Sequence, residues 1–189
     1  MSKEVRHKKK RAKILDTART LALENGFDQL SLREIARRIN LSPASLYEYF
    51  RGKDDIIDAL CIETDAQMAE HMMMWREERP QEHPLLSIGC AYVHFALMRP
   101  DEFQLLYHRP LDEPANAVSS LLSQYIKQSL RSGEFYAGFG FDETEMAQTF
   151  WALIHGQSLL ALTRGIQDEP DDLKVIKEAI QRLITGLRS

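Results

Sequence analysis

The sequence predicts an all-α protein of about nine helices, with a small N-terminal domain of residues 1–53 and a larger helical domain of residues 54–189. The first indication is the spacing of apolar residues, which recur at helical intervals in successive segments, as at Leu32, Ile35 and Ile39. The second is the placement of serine, proline and glycine at the ends of those segments, where helices start and stop. A chain of 189 residues is long enough to bury the core of one or two such domains.

The first helix is predicted to begin near Lys8 and to end at Asn25-Gly26, because glycine adopts the left-handed conformation of a helix C-cap without steric cost. The apolar residues that helical spacing places on its buried face are Ile14, Leu15, Ala18, Leu21 and Ala22.

The second helix is predicted to start at about Leu32, because Ser31 and Glu34 have the spacing of a capping box. Residues 40–42 then turn the chain. Ser42-Pro43 starts the third helix, since serine is a favoured N-cap and proline is tolerated at the first helical position.

The third helix has two apolar anchors, Leu46 and Phe50, and is predicted to end at Gly52. At about 100° per residue, the opposite face carries Ala44, Glu48 and Arg51. Such a short, polar helix suits the major groove of DNA, where small and polar side chains can reach base edges. The alternative is an ordinary pair of helices whose polar face meets only water.

Charge favours the DNA interpretation. Residues 1–53 contain 13 Lys and Arg against 6 Asp and Glu, whereas the remaining residues contain 11 against 22. The basic cluster that begins at Lys3 and ends at Lys13 can supply the phosphate-neutralising part of DNA affinity. Standing alone, such a cluster is more often a solvated tail; here it adjoins the helix pair.

Residues 11–60 closely resemble the DNA-binding domain of the TetR family of transcriptional regulators. The resemblance is carried by Ala18, Gly26-Phe27, the run SLREIA at 31–36, the run SPASLYEYF at 42–50, and Lys53. It implies an all-helical homodimer with an N-terminal DNA-binding domain and a C-terminal domain that dimerises and binds a small effector. It also implies a ligand-responsive repressor. Two identical DNA-binding domains, one from each subunit and one helical turn of DNA apart, predict a palindromic operator.

Nine residues are predicted to contact DNA. Those predicted to face the groove are Ser42, Ala44, Ser45 and Glu48. Those at positions that hold phosphates in the family are Tyr47, Tyr49 and Lys53, and Ser31 and Arg33 assist them from the second helix. Glu48 can accept a hydrogen bond from cytosine N4, or it is simply a solvated acid.

Six further helices are predicted after Gly52. The fourth begins at Lys53 and runs to about Glu78. The others are predicted from His83-Pro84 to Leu97 or Met98, from Pro100 through Tyr107, from about Val118 to Ser132, from Asp142 to about Arg164, and from about Asp171.

An apolar and aromatic set in the larger domain is predicted to line an effector pocket for a small apolar or aromatic molecule. The set is Met68, Met72, Trp75, Tyr92, Phe95, Met98, Phe103, Tyr107, Trp151 and His155, with His94 as a further polar group. The alternative, plain hydrophobic core, is the commoner role for any one of these residues.

The last helix has apolar residues at alternating spacings of three and four, typical of a helix that packs along its length against another. The family resemblance implies that the last two helices form the dimer interface, which gives the predicted interface residues Phe150, Ile154, Leu173, Ile176, Ile180, Leu183 and Leu187. Trp151, His155 and Gly156 also resemble a C-terminal subfamily with a Trp-His-Gly signature.

The sequence argues against an enzyme, since it has no HExxH, CxxC pair, GxSxG or Walker motif. No cofactor, metal site or membrane association is predicted, and Cys61 and Cys90 are expected to be buried thiols of a cytoplasmic protein. The rival to a regulator is an interaction protein whose helix pair has lost DNA binding, in which the acidic domain would dominate.

Overall fold

The computed structural model describes residues 2–106, 117–136, 141–165 and 170–188, with the backbone alone at 170–172. Within these ranges the protein is all-helical, which confirms the predicted fold class. The helices are α1 (Lys3–Asn25), α2 (Leu32–Arg38), α3 (Pro43–Leu46), α4 (Lys53–Glu77), α5 (Pro84–Met98), α6 (Pro100–Leu105), α7 (Ala117–Arg131), α8 (Glu143–Thr163) and α9 (Pro170–Leu187), with a 3₁₀ turn at Phe27–Gln29.

The described residues form two compact units, one made of 2–63 with 104–106 and the other of 64–103 with 117–136, 141–165 and 170–188. The smaller unit therefore extends ten residues beyond the predicted domain end at residue 53. The helix α4 starts in the first unit and continues into the second, since it is unbroken from Lys53 to Glu77.

The smaller unit is built around one apolar cluster. It includes the five residues predicted for α1 and is made of Ile14, Leu15, Ala18, Leu21, Ala22, Leu30, Ile35, Ala36, Leu46, Phe50, Ile56, Ala59, Leu60, Cys61 and Leu105. Leu46 and Phe50 are both in this cluster, so the predicted anchors of the third helix are buried.

Two predicted helix ends in the smaller unit are wrong. Helix α1 begins at Lys3 and not near Lys8, because Ser2 caps it by accepting a hydrogen bond from the Val5 amide at 3.3 Å. The third helix does not end at Gly52, which lacks the positive φ of a glycine C-cap. Gly26, which follows α1, has such a φ, at +88°.

The larger unit is organised around α5, most of whose residues are buried and which packs against α8, α9 and α7. The start of α5 is fixed by His83, whose Nδ1 accepts a hydrogen bond from the Leu85 amide at 3.2 Å. Burial raises the pKa of the Cys90 thiol to about 12, and both Cys61 and Cys90 are buried and form no disulfide. No helix in the described ranges is long and apolar enough to cross a membrane.

Candidate nucleic-acid interface

The turn between α2 and α3 is set by Asn40, which has a φ of +55°. Asparagine is one of the few residues that tolerate this left-handed conformation. The Leu41 amide then donates to the Ala36 carbonyl at 2.9 Å, which closes the turn. Helix α3 starts immediately afterwards, and Ser42 caps it by accepting from the Ser45 amide at 3.1 Å. The predicted start of α3 is therefore correct.

Helix α3 is shorter than predicted, because regular helix ends at Leu46 and the chain continues as a turn. The amides of Tyr49 and Phe50 both donate to the Leu46 carbonyl, at 2.9 and 3.0 Å. Leu46 and Phe50 are buried, while Ser42, Ala44 and Glu48 are exposed and Ser45 is half-buried. Tyr47 is 60% exposed, which is unusual for a large aromatic side chain.

The hydroxyls of two predicted groove-facing residues contact each other, with Ser42 Oγ 2.9 Å from Ser45 Oγ. Either hydroxyl can donate, and each keeps acceptor capacity for an incoming group. The pair is therefore a preformed polar spot at the start of α3.

The capping box predicted for α2 does not form. The Ser31 side chain makes no cap hydrogen bond, and the Glu34 carboxylate, which would supply the other half of the box, is held by Arg37 through contacts of 2.8 and 2.6 Å. These hydrogen bonds also lower the pKa of Glu34. Ser31 remains exposed beside the start of α2.

The cations of α2 differ in their neighbours. Arg37 is paired with Glu34, and Arg38 is paired with Glu24 through contacts of 2.7 and 3.1 Å. Arg33 is exposed and, among the residues that the structure describes, has no acidic partner. Of these three, Arg33 has the guanidinium available for a phosphate.

Lys53 has a structural contact that the sequence did not indicate. Its Nζ donates to the backbone carbonyl of Asp28 at 2.6 Å and so ties the start of α4 to the 3₁₀ turn. An ammonium group has three N–H donors, so this contact leaves two for a phosphate.

Two residues near α3 were missed by the sequence analysis. The His7 ring stacks on Tyr49 with centroids 4.5 Å apart and planes 27° apart, and the Arg11 guanidinium carbon lies 4.8 Å from the Phe50 ring centroid. The missed signal was Ser2, whose capping extends α1 far enough for its first turns to reach the turn that follows α3.

The predicted effector residues fall into two aromatic groups in the larger unit. In the first, which we call the His155 group, Tyr92 Oη lies 2.8 Å from His155 Nδ1, and the Trp151 and His155 rings stack with centroids 4.5 Å apart. Phe103 contacts both Tyr92 and His155. Burial lowers the pKa of His155, which favours the neutral ring.

The second group, the His71 group, joins α4 to α5. His71 Nε2 lies 3.1 Å from His94 Nδ1, and the Trp75 and His94 ring centroids are 4.6 Å apart. Phe95 is buried nearby, at 5.9 Å between its ring centroid and that of His71. Burial is the main cause of the lowered pKa of His71. The Trp75 Nε1 atom is buried without a hydrogen-bond partner in the described part of the chain.

Not all of the predicted effector residues line such a group. Met68 and Met72 are fully buried in the core, as the alternative interpretation expected. Met98 is 59% exposed and is the last residue of α5, and its position in a pocket stays a prediction. Tyr107 lies outside the described residues.

Most of the predicted dimer interface is the core of the subunit itself. Phe150, Ile154 and Ile180 are fully buried and converge on Gly89 of α5, while Ile176 and Leu187 are nearly so. Side chains buried within a subunit cannot also contact a partner. Leu173 and Leu183 are the members that stay half-buried.

A buried pair of anchors, a turn with Asn40 in the left-handed conformation and an outward polar face are features of a helix-turn-helix DNA-binding domain. The family model of bacterial regulatory proteins of the tetR family matches residues 14–60, and that of the tetracyclin repressor-like C-terminal domain matches residues 85–187. The chain belongs to the TetR family and is a DNA-binding transcriptional regulator, not an enzyme. The resemblance to the Trp-His-Gly subfamily stays an expectation.

Known proteins resemble this chain in sequence and in fold. An uncharacterized HTH-type transcriptional regulator of Bacillus subtilis, YobS, is 24% identical over 176 residues, which cover 92% of this chain and 90% of YobS. A protein of unknown function from Rhodococcus sp. RHA1 has a solved structure with a TM-score of 0.78 and 25% identity, covering 95% of each chain. The flavonoid-responsive regulator FrrA shares the fold, with a TM-score of 0.65, 20% identity and 95% of each chain covered.

Proposed function

We propose that this protein is a ligand-responsive repressor that binds a palindromic operator as a homodimer. The observation that carries the DNA-binding part is the exposed surface around α3, where the small or polar residues Ser42, Ala44 and Glu48 lie opposite the buried anchors Leu46 and Phe50. A rigid helix with an outward polar face is what the major groove accepts.

In this proposal the contacts divide into two classes. Ser42, Ala44, Ser45 and Glu48 read base edges, whereas Tyr47, Tyr49 and Lys53 bind phosphates, with Ser31 and Arg33 assisting from α2. Phosphate contacts position the protein, and base contacts specify the sequence. The exposure of Tyr47 and the unpaired guanidinium of Arg33 within the described chain support the phosphate class.

Substitutions separate the two classes. Tyr47→Phe and Lys53→Ala are expected to weaken binding to all duplexes similarly, and Lys53→Ala to lower the salt slope by about 0.9. Ser45→Ala and Glu48→Gln are expected to change the preferred sequence, each by about 1–3 kcal/mol at one base pair. Gel shifts across a salt series on a panel of operators measure both effects.

The control for Lys53→Ala is the thermal midpoint, because this lysine also holds the Asp28 carbonyl. Arg37→Ala is a matched variant, since that arginine is already paired with Glu34. A Lys53→Ala protein with unchanged affinity and salt slope contradicts the phosphate assignment.

The proposed effector is a small apolar or aromatic molecule bound in the larger unit. Support comes from the two aromatic groups, from the unpaired Trp75 N–H and from the fold shared with a flavonoid-responsive regulator. A ligand that binds one arrangement of the dimer better than another changes DNA affinity by that difference.

Tryptophan fluorescence locates the effector, because the chain has two tryptophans and each aromatic group contains one of them. Titration of a flavonoid into the Trp75→Phe and Trp151→Phe proteins is expected to quench the tryptophan fluorescence of one variant and not that of the other. The quenching ligand is expected to release DNA in a gel shift. A ligand that binds but leaves DNA affinity unchanged contradicts the mechanism.

The proposed dimer interface uses the outer faces of α8 and α9. Apolar side chains remain exposed there, with Leu159 at 41%, Leu160 at 47% and Val175 at 66%. Substitution of Leu160 or Val175 by glutamate is expected to produce monomers in sedimentation experiments, because a buried charge is costly. Monomers should bind a half-site weakly and lose the preference for palindromes.

A further inference from the structure

The first three turns of α1 form a basic helix fixed beside the turn that follows α3. Ser2 caps this segment, and His7 and Arg11, one helical turn apart, contact Tyr49 and Phe50. The basic residues near the N-terminus are therefore held on a helix, at a defined position in the same compact unit as α3.

The charges on this helix are unevenly distributed around its axis. Lys3, Arg6, Lys10 and Lys13 recur at i, i+3, i+7 and i+10 and so share one side of α1, which we call the cationic stripe. All four are exposed, and within the described part of the chain none forms an ion pair. Lys8, on the opposite side, is paired with Glu4 at 3.3 Å.

We infer that the cationic stripe binds the phosphates of a DNA strand next to the groove entered by α3. This inference rests on the proposed DNA-binding function. From Lys3 to Lys13 the stripe spans about 15 Å at the rise of an α-helix. That length is enough to reach several successive phosphates of one strand.

The composition of these turns favours DNA over a membrane surface. A helix that lies on a membrane needs an apolar face, and between Lys3 and Lys13 the apolar residues are limited to Val5 and Ala12. The contact face of the segment is occupied by His7 and Arg11, which already pack against the turn that follows α3.

His7 is a positioning residue in this arrangement. Its ring packs on Tyr49, which is itself a proposed phosphate contact, so it fixes both the tyrosine and the direction of the helix. Phenylalanine can keep the ring contact without the imidazole nitrogens, whereas alanine removes it.

The test measures the salt dependence of binding to a duplex selected by the wild-type protein. Lys10→Ala and Lys8→Ala form a matched pair, because each removes one charge from the same helix and alanine favours helix. Lys10→Ala is expected to lower the slope of log K against log salt by about 0.9, and replacement of all four stripe residues by about 3–4. Lys8→Ala is expected to leave the slope unchanged.

His7→Ala is expected to weaken binding about three- to tenfold through loss of the stacked pair, and His7→Phe to restore it to within about twofold of the wild type. Circular dichroism checks that each variant keeps its helix content. Equal affinities for the alanine and phenylalanine variants overturn the positioning role.

The outcomes distinguish this inference from the proposed function. A wild-type protein that selects no duplex contradicts the proposed function itself. Selective binding with unchanged slopes for Lys10→Ala and for the fourfold variant overturns the stripe and leaves the function intact. Equal slope losses for Lys8→Ala and Lys10→Ala also overturn it, because they show that the effect of a charge does not depend on which side of α1 carries it.

Discussion

Gly89 shows how closely the core of the larger unit is packed. A Cβ atom at this position would lie 2.8 Å from Ile180 Cδ1 and 3.2 Å from both Ile154 Cγ2 and Phe150 Cζ. Gly156, also within a helix, would have no atom within 4 Å of an added Cβ. The two glycines therefore separate the cost of packing from the general gain of replacing a helical glycine.

Gly89→Ala is expected to leave the protein less stable than Gly156→Ala by about 1–3 kcal/mol, the usual cost of overpacking a core. The gain in helix propensity is common to both variants and cancels. Urea unfolding at equal protein concentration measures the difference. Equal free energies of unfolding would show that Ile180 and its neighbours move aside freely.

Local capping signals predicted most helix ends correctly. The starts of α3, α4 and α5 are at the predicted residues, and α8 and α9 begin within one residue of prediction, because proline, aspartate and serine act on their own helix turn. Helix α2 also starts at the predicted residue, although its predicted cap does not form. The early start of α1 was missed, since Lys3–Lys10 has no apolar periodicity. The failed capping box of α2 depends on Arg37, which competes for Glu34.

Helix periodicity identifies a buried face but not the surface that covers it. The spacing in α9 correctly indicated packing along the helix, yet Ile176 and Ile180 face the core of their own subunit. The contact of His7 with Tyr49 and that of His71 with His94 join residues far apart in sequence. No local pattern encodes such contacts, so this part of the candidate site required the structure.

The caps of α8 and α2 provide a prediction for helix stability. Asp142 and Glu145 form a complete capping box, with contacts of 3.0 and 2.8 Å, whereas Ser31 makes no cap hydrogen bond. Asp142→Ala is expected to cost about 1 kcal/mol and Ser31→Ala less than about 0.5 kcal/mol. Thermal unfolding tests both variants. A larger loss for Ser31→Ala would mean that its hydroxyl does cap α2 in solution.

At the scale of the whole molecule, three half-buried histidines make stability depend on pH. Burial is the largest cause that lowers the pKa values of His71, His83 and His155 in the folded protein. The contribution of these histidines to folding stability is fully present above about pH 6.5, the pKa of histidine in the unfolded chain. It is lost as the pH falls towards the folded values, because the unfolded chain then binds more protons.

The urea concentration at the unfolding midpoint is therefore expected to decrease as the pH is lowered from about 7.5 to about 5.5. His155→Gln is expected to flatten this dependence, since it removes one of the three groups. The exposed His7 gives a control, His7→Phe, which keeps its ring contact with Tyr49. A midpoint that stays constant or rises on acidification would contradict the role of burial.

The central claim is that the exposed face of α3 reads duplex sequence, once from each subunit of a dimer. Selection by the purified wild-type protein from a pool of random duplexes tests it most directly. The account predicts enrichment of an inverted repeat whose half-sites lie about 34–36 Å apart on one face of the duplex. A pool that remains random after selection, while the protein is folded, would contradict it.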